Sequence, residues 1–132
     1  MKALALATVA AAVSLVTSIA MAGTGTYPGF AVSLHGQAKP VFQFSSAQAT
    51  AEDPVVISIA GRQLRPEDSK YRVDLQKLWL QRNVPDSYKL RIRDLSFCPK
   101  RHPNQFGACD RYEFTDANGA VRQFYFYVGN WP

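Results

Sequence analysis

The chain has 132 residues, 47% of them hydrophobic and 19% charged, with a formal net charge of +5 and two cysteines. Once an export signal is set aside, that length predicts one domain, large enough to build a core without many covalent staples. The charge is compatible with an anionic partner (a polysaccharide, a lipid head group, a nucleic acid or an acidic protein) and selects none of them.

Met1-Lys2 is followed by an Ala/Val/Leu-rich run from Ala3 to Ala20, ending in Ala20-Met21-Ala22, the small-x-small form of a signal-peptidase site. A retained membrane anchor is the competing reading, because the run is nearly long enough to span a bilayer. The alanine content and the interruptions at Thr8, Ser14, Thr17 and Ser18 favour cleavage. The expected organisation is a signal peptide over residues 1–22 and a single β-rich domain over 23–132, periplasmic or secreted and without stable membrane insertion. No cysteine follows the apolar run, so a bacterial lipid anchor is not expected. Removing Lys2 takes the 15 Lys and Arg to 14, against 10 Asp and Glu, a net charge of +4.

Phe30-Ala31-Val32-Ser33-Leu34 alternates and stops at His35-Gly36, which predicts a first strand. Pro40 to Phe44 predicts a second, with proline at its first residue, where a missing N–H is tolerated. Pro54 to Ala60 is the most β-prone run, β-branched at Val55, Val56, Ile57 and Ile59. Gly61 and Arg65-Pro66-Glu67-Asp68-Ser69 then break it. Tyr71, Val73 and Leu75 fit a strand, whereas Tyr71, Leu75, Leu78 and Trp79 fit one face of a helix. The reading taken is a strand to about Leu75 and a short helical turn around 76–82, ending before Pro85.

The last third alternates most clearly. Tyr88 to Arg93 alternates apolar and charged residues, and Arg111 to Phe114 and Val121 to Val128 flank the turn-forming Asp116-Ala117-Asn118-Gly119. Five or six short strands predict a mainly β fold, a small antiparallel sheet or β-sandwich. The stretch Val84-Pro85-Asp86-Ser87-Tyr88-Lys89-Leu90-Arg91-Ile92 resembles the corner before a late strand in immunoglobulin-like sandwiches, where a proline-containing turn leads to a tyrosine. It spans nine residues and implies a loosely immunoglobulin-like sandwich, with no function attached. The buried Trp and inter-sheet cysteine pair of that family have no match in spacing.

Three surfaces are candidates for binding. Were Tyr88, Leu90 and Ile92 to face the core, Lys89, Arg91 and Arg93 would stand opposite. With Lys100, Arg101 and His102 they would make a cationic stripe for phosphates or carboxylates. The alternative is a solvated face neutralised by Asp94, Asp110 and Glu113. On the last strand, Phe124, Phe126 and Val128 are expected in the core, leaving Tyr125, Tyr127 and Trp131 for a partner or a sugar ring unless both faces are covered. The third is the loop Cys98–Cys109, which an exported chain is expected to close as a disulfide. Two prolines stiffen it, and Arg101 or Phe106 would anchor an interface; the ordinary alternative is a hairpin connection that needed stapling.

No C-x-x-C, H-E-x-x-H, P-loop, dinucleotide fingerprint or nucleophile elbow occurs, so no cofactor, metal or catalytic residue is assigned. A small hydrolase or nuclease assembled from His35, His102, Glu113 and an arginine stays open. The sequence therefore points to an exported bacterial binding protein that contacts another protein, as an inhibitor, immunity or envelope-assembly factor does. The absence of any N-x-S/T acceptor accords with a bacterial source. A module for an anionic polymer or carbohydrate is the alternative. An exposed edge on the final strand would also allow a dimer.

Overall fold

The computed structural model describes residues 25–132, so the expected signal peptide lies outside the described residues. The protein is mainly β. Strands β1 (Phe30–Ser33), β2 (Val41–Phe44) and β3 (Ile57–Ile59) form one antiparallel sheet in that order. Strands β4 (Lys89–Phe97), β5 (Ala108–Thr115) and β6 (Val121–Tyr127) form a second. Each sheet runs in sequence order, without the crossing connection of the immunoglobulin arrangement.

The strongly β-prone run 54–60 yields a strand of only three residues because it serves both sheets. Ile57–Ile59 pairs with β2, while Val55 forms a parallel bridge with Phe126 in β6. Val55 N–H donates to the Tyr125 carbonyl at 2.9 Å, and Tyr127 N–H donates to the Val55 carbonyl at 2.8 Å. The Tyr125 N–H in turn donates to Ala49. The outer edge of β6 is thereby occupied from Tyr125 to Tyr127, which answers the question of its exposure that the sequence left open.

Tyr71 to Leu75 is not a strand. A 3-10 helix, Pro66–Tyr71, leads directly into α1, Arg72–Asn83. Proline is tolerated in a first helical turn, where its missing N–H has no partner to lose. The Asp68 carboxylate accepts the Arg65 N–H at 2.7 Å and so closes the start. Burial decides the period: Leu75, Gln76, Trp79 and Leu80 are buried, while Val73 is only half-buried. The helix ends before Pro85, as expected.

Buried residues of both sheets join α1 in one apolar cluster. Trp79 is its hub, with ring centroids 4.9 Å from Tyr27, 5.3 Å from Phe126 and 6.0 Å from Phe124. Phe124, Phe126 and Val128 face this core as expected. At the β5–β6 turn, Gly119 takes φ +82°, which glycine adopts freely. The Asp116 side chain there accepts the Asn118 and Ala120 N–H groups, both at 2.9 Å.

Candidate functional site

The loop after β4 is stapled where the sequence placed it. Cys98 and Cys109 form a disulfide with their Cα atoms 5.9 Å apart. Three further devices fasten the loop. Cys98 N–H donates to the Gly107 carbonyl at 3.3 Å. The Tyr127 hydroxyl accepts the Arg101 N–H at 3.1 Å, and lies within donating distance of Gln105 Oε1 (2.9 Å) and the Phe106 carbonyl (3.0 Å). Gly129 is the third: a Cβ there would overlap the Phe106 carbonyl, so only glycine lets the loop settle onto the end of β6.

Against that fixed backbone, the Phe106 ring stands 82% exposed. Lys100, Arg101 and His102 are exposed as well. Between the loop, the segment after β3 and the C-terminus lies an open cleft of about 540 Å³. Arg62, His102, Asn104, Gln105 and Trp131 line it. Arg62 is engaged there in a bidentate pair with Asp68 at 2.8 and 3.1 Å. The Arg62 guanidinium holds the Asp68 carboxyl below the usual range, and the Arg65 N–H assists against the opposing effect of burial.

The other two surfaces differ from expectation. Tyr127 is buried, because its hydroxyl is the peg of the loop, and Trp131 is buried too. Tyr125 is half-buried with its hydroxyl directed at Gln123 Oε1, 3.2 Å away. No aromatic platform is presented by that strand.

The cationic stripe is divided by a β-bulge between Leu90 and Ile92. The bulge inserts one residue and reverses which face follows, so alternation in the sequence stops matching alternation in space. Leu90 lies opposite Phe114 and Ile92 opposite Glu113, on different faces, and both stay exposed. Arg91 pairs with Glu113 at 3.1 Å on the outer face. Arg93 turns to the inner face, where its Nε donates to the Tyr112 hydroxyl at 3.1 Å and it pairs with Asp110 at 3.5 Å. Lys89 is exposed at the start of β4. Asp110 and Glu113 thus neutralise two of the three strand cations, as the competing reading held, while Asp94 is held by Arg111 at 2.7 Å.

Arg93 belongs to a buried polar network that the sequence did not reveal. Gln76 Nε2 donates to Asp110 at 2.8 Å, and the Tyr112 hydroxyl donates to Gln76 Oε1 at 2.6 Å. Arg72 of α1 approaches Asp110 to 3.4 Å. Burial raises the Tyr112 phenol, which keeps its proton as donor. This network ties α1 to β5. A charged pattern on a strand gives no sign of a helix glutamine 34 residues away in sequence from its acid.

His35, His102 and Glu113 are on separate parts of the molecule. His35 sits in the β1–β2 turn near Tyr71, His102 lines the cleft, and Glu113 is bonded to Arg91 and Gln123 on the outer face of the second sheet. Among the described residues there is no cluster of three or more His, Cys, Asp or Glu suited to a metal ion. No helix among them is long and apolar enough to cross a membrane. Compared with protein-family models, curated proteins and solved structures, the chain shows no match.

Proposed function

We propose that this is an exported, single-domain binding protein that engages another protein through the stapled loop, in the manner of an inhibitor, immunity or envelope-assembly factor. The observation that carries this reading is the contrast between a loop backbone fixed by a disulfide, the Tyr127 hydroxyl and the close approach at Gly129, and a Phe106 ring left 82% exposed. A fixed loop loses little conformational entropy on binding, and an exposed aromatic with an arginine in the same loop is the composition of an interface anchor. Arg101, His102 and Phe106 form the contact centre, with Lys100 at the margin. Export is supported by the disulfide, which persists in oxidising compartments, and by the signal-like N-terminal sequence.

The test compares wild type with Arg101→Ala plus Phe106→Ala for retention of a partner from envelope extract and culture medium. The reading requires that the double variant lose the partner while melting at the wild-type temperature. An anionic polymer as the true ligand would show itself by binding that falls steeply with salt and depends on Lys89, Lys100 and Arg101.

A further inference from the structure

We propose that the free edge of β4 pairs antiparallel with the same edge of a second copy, over Arg93 to Phe97 and about a two-fold axis at Leu95. This proposal stands independently of the loop reading.

The two edges of the second sheet differ. That of β6 is occupied by Val55 and Ala49, while among the described residues β4 has a strand on one side only. The direction of its backbone groups follows from the ladders. Val128 N–H donates to the Ala108 carbonyl at 2.9 Å, so Ala108, Asp110, Tyr112 and Phe114 direct their groups to β6. Cys109 and Arg111 therefore face β4, where Ser96 and Asp94 lie opposite them. The Cys98 N–H bond to Gly107 is in the same phase. Arg93, Leu95 and Phe97 remain, with N–H and C=O directed away from β5.

These residues also carry the unexplained apolar surface. Leu95 is 68% exposed and Phe97 91% exposed. Both stand on the inner face of the sheet, opposite Asp110 and Ala108, on the side where α1 engages Asp110 and Tyr112. An open strand edge with apolar side chains beside it is a template for another strand.

The sequence of this edge is complementary to itself in one register. Paired about Leu95, the strand sets Leu95 against Leu95 and Arg93 against Phe97 of the second copy. That arrangement uses every outward group, for on the order of six backbone hydrogen bonds. It brings the Arg93 guanidinium to a phenylalanine ring, a favourable cation–π pairing, and Asp94 to Ser96 on the other face. Pairing about Arg93 would oppose two guanidinium groups, and pairing about Asp94 two carboxylates. Pairing about Ser96 sets Arg93 against Pro99, which has no N–H to give. The bulge between Leu90 and Ile92 ends the regular edge at its other end. An aromatic side chain buries about 150–250 Å². Two from Phe97, with two leucines, place this contact at the small end of specific interfaces, so the dimer depends on concentration.

Sedimentation of the oxidised mature protein from about 1 μM to about 1 mM tests this, that span covering weak to moderate association. The expected result is a monomer passing to a dimer, with the midpoint at least about tenfold higher in Leu95→Lys, which opposes two charges across the axis. Phe97→Ser, at a residue with no packing role in the monomer, gives the same shift. Amide exchange reports the register: Arg93, Leu95 and Phe97 slow with concentration, while Asp94 and Ser96 are protected throughout. A monomer at every concentration overturns the proposal, including the case in which the edge instead takes a strand from a different protein. So does a dimer that both variants leave intact, or one that protects other amides.

Discussion

The Tyr127 hydroxyl sits where the stapled loop meets the sheet, and its removal loosens that loop without opening the core. Tyr127→Phe keeps the buried ring and deletes the partner of the Arg101 N–H and the Phe106 carbonyl. A cost of about 1–2 kcal/mol in unfolding free energy is expected, with faster amide exchange at Arg101 than in wild type. Denaturant titration and exchange measurements check both. Three carboxylates are held below their ordinary range and should make the fold sensitive to acid. Asp68 is lowered first by Arg62, Asp94 by Arg111, and Asp116 by the Ala120 N–H followed by Asn118. A carboxyl with a depressed folded pKa contributes stability above its unfolded value, about 4, and loses it as pH falls through the folded value. The melting temperature should therefore hold between neutral pH and about pH 5, then fall below about pH 4. Asp68→Asn should melt lower at neutral pH and show a shallower acid decline. An unchanged acid profile in that variant would remove Asp68 from the account.

Among the elements, α1 is the one on which both sheets depend. Trp79 is fully buried against Tyr27, Phe124 and Phe126, so Trp79→Ala should cost about 3–5 kcal/mol, read by denaturant titration. Reducing Cys98–Cys109 opens a short loop and should cost about 2–3 kcal/mol, with the larger effect on binding. The strands were legible in the sequence because each alternates over a half-buried face and ends in turn residues, as β5 and β6 do around Asp116-Ala117-Asn118-Gly119. The staple was legible because a chain with two cysteines has one pairing to make. The helix was not, because Tyr71 and Leu75 satisfy both periods, and only the burial of Gln76 and Leu80 separates them. Nor was the bulge in β4, where an unbroken alternation in sequence conceals a change of face in space. Tyr127 illustrates a further limit: its hydroxyl has partners 22 and 26 residues away, in a loop whose fold no local pattern specifies.

At the scale of the whole molecule, four of the ion pairs among the described residues lie on the second sheet and its turn. Of the cations on β4, Arg91 and Arg93 are paired with Glu113 and Asp110, and Arg111 and Arg122 are engaged by Asp94 and Asp116. Beside these pairs the loop exposes Lys100, Arg101, His102 and Phe106, and β4 exposes Leu95 and Phe97 along its edge. A partner held by the loop should thus be retained at both low and high salt, since its anchor is an aromatic ring in a fixed frame. If the edge of β4 also pairs, two loops are carried on one assembly, and attachment to a repeating target strengthens without any new contact. The most direct measurement is capture by the tagged, oxidised mature protein from envelope extract and culture medium at both salts, beside Arg101→Ala plus Phe106→Ala. One protein should be retained by wild type at both salts and lost by the folded double variant; equal retention by the variant, or retention only of many acidic species at low salt, would rule out the loop as the binding surface.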